Sequence, residues 1–131
     1  SPAANDALVV FMTVPDADTG ARIGRTLVDE QLAACVNILP TIRSIYRWKG
    51  KVCKDGELLL VIKTVEREFE GVSATIRELH SYDLPEILSI NVTKGEANFL
   101  EWIRSSVDKH ADFSDEAEEE LSYADPDDSE F

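Results

Sequence analysis

The residues best suited to chemistry crowd into one short stretch, His80-Ser81-Tyr82-Asp83-Leu84-Pro85-Glu86. An imidazole nitrogen and a carboxylate oxygen brought together match the donor preferences of Cu(II) and Zn(II). His80 and Glu86 are therefore the leading candidate metal ligands, with Tyr82 between them. The same two side chains also serve, in many folds, as internal hydrogen-bonding groups, and the sequence leaves that reading open. A second constellation is Cys35 with Asn37. Two residues apart on a strand, they share a face, and Cys35 offers a metal ligand, a reactive thiol or a buried core thiol. Glu57 and Lys63 fall on one strand and, with Tyr82 and Asn37, are expected to line a polar ligand cleft between subunits. The two cysteines, Cys35 and Cys53, show no CxxC spacing, which points to reduced thiols and away from a bridge.

An enzymatic role is not expected. GxSxG, HExxH and a phosphate-cradling glycine loop are all missing from the sequence. A Cys35–His80 nucleophilic pair would be one route to catalysis, but nothing in the sequence brings the two together.

The formal charge of -13 is concentrated at one end. Residues 108–131 hold eleven acids and one base, a net of -10, which leaves -3 for residues 1–107. The chain thus divides into a domain at 1–107 and an acidic tail at 108–131. The tail carries too little aliphatic surface to offset its ordering entropy and is expected to be disordered, available as an arm for a protein partner. A near-neutral body with an acidic appendage argues against nucleic acid. No apolar run approaches the ~20 residues of a bilayer-spanning helix, so no membrane partner is expected. The expected compartment is the cytoplasm, or an organelle where a leader preceded Ser1.

These groups must be positioned by strands and helices that the hydrophobic pattern marks out. Ala7 to Val14 is an apolar run of central-strand type. Asp16 and Asp18 then offer cap oxygens to a helix expected over 17–32, in which Gly20 and Gly24 share a face and permit close approach to the sheet. Leu32 to Val52 is rich in β-branched and aromatic residues, broken by Pro40, which implies an edge or a bulge. Lys49-Gly50-Lys51 is the expected hairpin tip, Asp55-Gly56 a turn or bulge, and Glu57 to Val65 the return strand. Glu66 to Ser81 has a helical stripe of Phe69, Val72, Ile76 and Leu79. A strand over 86–92 and a helix over 98–107 complete the order βαββαβ plus helix. That order predicts an α+β split-βαβ sandwich, four antiparallel strands with two helices on one face.

The long hairpin is the feature that reaches beyond the domain. From Ala34 to Trp48 it would extend about 50 Å at ~3.3 Å per residue, beyond the ~35 Å diameter of a body this size. An overrunning ribbon exposes unpaired backbone groups and apolar side chains. A second copy of the chain supplies the missing partners, with Ile45, Tyr46 and Trp48 at the contact.

Several stretches, read together, carry a family resemblance: VVFMTVP at Val9–Pro15, LAACVNILP at Leu32–Pro40, SIYRWKGKV at Ser44–Val52, ELLLVIKT at Glu57–Thr64, HSYDLPEILSINV at His80–Val92 and FLEW at Phe99–Trp102. In this order and spacing the chain resembles the CutA-type divalent-cation tolerance proteins. The resemblance implies a ferredoxin-like fold with an extended central hairpin and a C-terminal helix, assembled as a homotrimer similar in association to the P-II proteins. It implies tolerance of copper and other divalent cations, with a P-II-like signalling or scaffold trimer acting through protein partners as the alternative. It also implies a third metal ligand in the first strand, where related bacterial proteins have cysteine and this sequence has Met12. Thioether sulfur suits Cu(I) better than Cu(II) or Zn(II). The acidic tail lies outside the resemblance.

Overall fold

A computed structural model describes residues 3–110 of the chain. The order of elements is β1 (Ala7–Val14), α1 (Ala17–Asp29), β2 (Cys35–Trp48), β3 (Lys51–Val65), a single 3-10 turn at Glu66–Glu68, α2 (Phe69–Leu79), β4 (Leu88–Asn91) and α3 (Ala97–Ser106). The four strands form one sheet in the order β2-β3-β1-β4, every neighbouring pair antiparallel. This is the α+β, ferredoxin-like βαββαβ sandwich expected from the pattern, with the hairpin of β2 and β3 extended and a helix added at the end.

Each element follows from local chemistry. Asp16 caps α1, its side chain accepting from the Thr19 amide at 2.8 Å. The helix stops at Asp29, short of the expected Leu32, because Gln31 takes φ 57° and the amides of Leu32 and Ala33 fold back onto the Leu27 carbonyl at 2.9 and 3.1 Å. Gly24 brings the helix against β2, since a Cβ there would stand 3.3 Å from Val36 Cγ1. At the hairpin tip Lys49 and Gly50 both have positive φ, 50° and 79°, the backbone of a two-residue turn whose twist matches its strands. Glu96 caps α3 by accepting from the Phe99 amide at 2.7 Å.

Alternate residues of the sheet enter the core. Leu8, Val10, Met12 and Val14 of β1 and Leu60 and Ile62 of β3 pack beneath Ile23 and Leu27 of α1 and Val72 and Ile76 of α2. The other face carries Val9, Phe11, Leu59 and Val61, half-buried, with Leu88 and Ile90 of β4 exposed at 64% and 57%. α3 covers only the far end of this second face, through Ile103 and Val107 against Ala7, Ala34 and Val65.

Two expectations are corrected. Asp55-Gly56 is not a turn: β3 runs unbroken from Lys51 to Val65, with Gly56 opposite Arg43 and Asp55 opposite Ser44. The irregularity lies on the other strand, where the register shifts between Leu39 and Ile42 and Thr41 adopts φ 54°. Pro40 and Thr41 there oppose the single residue Leu58, a β-bulge. The fourth strand is also shorter than expected, Leu88–Asn91, because it pairs only with Leu8 to Phe11.

Candidate functional site

The bulge decides what each residue of the hairpin faces. Before it, Asn37 and Leu39 lie on the helix-free face, opposite Val61 and Leu59. The extra residue shifts the parity, so beyond it Ile42, Ser44, Tyr46 and Trp48 continue that face, opposite Glu57, Asp55, Cys53 and Lys51. Arg43, Ile45 and Arg47 occupy the reverse side with Val52 and Lys54. Ile45 therefore does not share a face with Tyr46 and Trp48.

At the root of the hairpin the loop after α2 rises to meet it, and a cleft of about 810 Å³ opens between them. Thr13, Arg43, Tyr46, Glu57, Tyr82 and Glu86 are among its lining residues. A chain of contacts holds it. His80 Nε2–H donates to the Thr13 carbonyl at 2.7 Å, while His80 Nδ1 accepts from the Tyr82 amide at 3.1 Å. The Tyr82 ring lies on the imidazole with centroids 4.5 Å apart, and its hydroxyl donates to Glu57 Oε2 at 3.0 Å. The Tyr46 hydroxyl donates to Asp55. Burial, followed by the bond to Glu57, pushes the Tyr82 phenol up to about 12. The bond to Asp55 does the same for Tyr46, up to about 12. Both phenols thus remain proton donors to carboxylates across the ordinary pH range.

The predicted site residues separate into three places. Tyr82, Glu57 and the exposed Glu86 meet at the cleft, with His80 against Tyr82. Lys63 donates to Asn37 Oδ1, and Cys35 Sγ stands 3.8 Å from the same oxygen. Lys63 is six residues along β3 from Glu57, roughly 20 Å, so within one chain Tyr82 and Glu57 lie apart from Lys63 and Asn37. Met12 is fully buried among core side chains beneath the helices. His80 is buried with both ring nitrogens engaged. Among the described residues no group of three or more His, Cys, Asp or Glu stands close enough to hold a metal ion. One chain does not assemble His80, Glu86, Met12 and Cys35 into a donor set.

Sequence reasoning missed Arg43, Arg47, Asp55 and Thr13. Arg43 and Arg47 carry a period-2 signal, but which face they occupy depends on the bulge. Asp55, with Gly56, carries a turn or bulge signal that the regular ladder of β3 overrides. Thr13 contributes a backbone carbonyl, for which side-chain identity gives no signal.

The family model described as "CutA1 divalent ion tolerance protein" matches residues 8–106. A divalent-cation tolerance protein of Thermus thermophilus is 43% identical over 98 residues, 75% of this chain and 95% of its own length. A CutA protein of Arabidopsis thaliana, named as chloroplastic, is 42% identical over 100 residues, 76% of this chain and 55% of its own length. The chain thus spans little more than half of such plant relatives. The crystal structure of CutA from Xylella fastidiosa superposes with a TM-score of 0.77 at 39% identity, covering 79% of this chain and 99% of that one.

Proposed function

Because the chain belongs to the CutA1 divalent ion tolerance family, we propose that it acts as a non-enzymatic homotrimer taking Cu(II), Zn(II) or a small ligand in clefts between its subunits. The observation that carries this reading is the sheet face that α3 covers only at its Ala7–Val65 end. Phe11, Leu59, Val61, Leu88 and Ile90 form an apolar surface on it, and the overrunning hairpin continues the same face through Tyr46 and Trp48. Burial against further copies removes this surface from water. Both outer strands, β2 and β4, also have a free edge for backbone pairing.

The donor chemistry agrees with a shared site. His80 is occupied within its own chain, and the cleft carboxylates Glu57 and Glu86 do not make a closed set by themselves. Zn(II) takes four ligands and Cu(II) a tetragonal set. In this reading a second subunit completes the shell, and neither Met12 nor Cys35 of the same chain takes part. Two free cysteines are compatible with a reducing compartment, cytoplasmic or organellar. Among the described residues no helix is long and apolar enough to cross a membrane.

Sedimentation equilibrium at micromolar concentration tests the assembly, with a trimer mass expected; a folded monomer refutes it. Calorimetric titration with Cu(II) and Zn(II) tests the cleft, with affinity expected to fall in the Glu57→Gln and Glu86→Gln variants. Unchanged binding in both removes the cleft from the account.

A further inference from the structure

The reverse face of the hairpin has a chemistry of its own. Residues 43–54 hold five of the chain's 13 bases, Arg43, Arg47, Lys49, Lys51 and Lys54, and no acid. All five are exposed. None makes an ion pair among the described residues. The cross-strand register places Arg43, Arg47 and Lys54 on one face around Ile45 and Val52, which are exposed at 68% and 62%. The result is a basic rim about an apolar centre, turned away from the face proposed for assembly.

The chain contains a segment of opposite character. Residues 111–131 carry ten acids and no base, with Phe113, Leu121, Tyr123 and Phe131 set among them. We propose that residues 111–131 dock along the hairpin face of Arg43, Ile45, Arg47, Val52 and Lys54. The carboxylates sit on the bases and the aromatic and aliphatic side chains on Ile45 and Val52. Reach permits it. Residue 110 follows α3, which packs on Val65 at the opposite end of β3. Lys54 lies eleven residues away along that strand, roughly 36 Å, and 21 residues of extended chain span up to about 70 Å. Arg43 and Arg47 also line the cleft, so the docked segment competes with anionic ligands for them. The family match ends at residue 106, so the contact concerns a part of the chain outside it. The proposal depends neither on a metal nor on the number of subunits.

Zero-length carbodiimide coupling of the full chain, with sites read by mass spectrometry, tests it. At low salt, amide links are expected between Lys54, or Lys49 at the tip, and carboxylates in the 112–130 region, well above those formed by Lys94 or by Lys51 on the other face. The Arg43→Gln/Arg47→Gln double variant keeps the coupling amines but loses docking charge, and its yield should fall about fivefold. Raising the salt to 1 M, where screening acts over ~3 Å, should do the same. Circular dichroism confirms that the variant is folded. A full-length variant with its 115–120 acids changed to Asn and Gln provides a second reading and should lose the links to residues 125–130 as well. Equal coupling at Lys94 and Lys54, or a yield unchanged in the Arg variant, overturns the proposal. So do links from Lys54 to body carboxylates of another copy in place of the tail, which would assign the face to a contact between copies.

Discussion

Replacing His80 by alanine distinguishes a structural imidazole from a metal ligand. The ring donates to the Thr13 carbonyl and accepts from the Tyr82 amide, so His80→Ala leaves two backbone groups without partners. An unsatisfied buried group costs about 1–3 kcal/mol. Thr13 is buried, so its carbonyl falls near the middle of that range, about 2 kcal/mol. Tyr82 lies on an exposed loop, where water partly replaces the lost acceptor, and its share is about 1 kcal/mol. The expected loss is therefore about 3 kcal/mol, which for a domain of this size lowers the melting temperature by roughly 12 °C. Thermal and urea unfolding at matched protein concentration read it, because the proposed assembly would make both depend on concentration. Tyr82→Phe serves as the comparison. It removes only the hydroxyl bond to Glu57 and should cost about 1 kcal/mol. A loss below 1 kcal/mol for His80→Ala refutes the strut. Unchanged melting with Cu(II) or Zn(II) affinity more than tenfold weaker would make His80 a ligand instead.

Tyr46 and Tyr82 are held protonated up to about 12. Their contribution to stability is complete below the unfolded value near 10 and is lost as pH rises from there toward 12. Alkaline titration of tyrosinate absorbance should show one late-titrating group fewer in Tyr46→Phe and in Tyr82→Phe; ionisation of both near pH 10 contradicts the two hydrogen bonds. Met12→Ala opens a cavity in a closed core and should cost about 3 kcal/mol in denaturant unfolding, with Zn(II) affinity of the folded protein unchanged. Loss of affinity without loss of stability would restore Met12 as a ligand. Trp48→Ala removes a large side chain from the proposed assembly face and should yield smaller species in sedimentation at low concentration; an unshifted mass counts against its place there.

Most of the fold was legible because hydrophobic period and punctuation agreed. Ala7 to Val14 is marked as a strand by its short continuous apolar run, of which Val10, Met12 and Val14 enter the core, and Ile23 and Leu27 repeat at helical spacing. Pro40 and the Lys49-Gly50 pair marked the bulge and the tip correctly. Asp55-Gly56 misled because a turn signal of two residues is weak when both neighbours pair across a long ladder. The site was less legible than the fold. His80 is held through a backbone carbonyl and a backbone amide, groups that every residue carries and no sequence distinguishes, and Tyr82 meets Glu57 by a side-chain bond between residues 25 apart in the chain. Their proximity also left open whether the imidazole lone pair was available, and the Tyr82 amide takes it. Asn37 and Lys63 do pair, but some 20 Å from Glu57, a distance that register alone reveals.

The bulge at Pro40 and Thr41 explains why one hairpin carries two unlike surfaces. A strand sorts its side chains by parity, and one inserted residue exchanges the two sets beyond that point. Without the insertion, Arg43, Ile45 and Arg47 would continue the face of Asn37 and Leu39, and three exposed side chains, two of them cationic, would stand on the apolar face proposed for assembly. Placing two guanidinium groups in such an interface carries a desolvation cost that only paired carboxylates offset. With the insertion, Tyr46 and Trp48 extend the apolar sheet face outward, and the bases gather on the reverse with Lys54. Thr41 accepts a left-handed φ of 54° to achieve this, a conformation that is uncommon for a β-branched residue. The strain is local, and the sorting it produces runs the length of the ribbon to Trp48. The same displacement brings Arg43 and Arg47 to the rim of the cleft that Glu57 and Tyr82 close from the other side. The proposed assembly face and the basic face are thus sorted by one extra residue in β2.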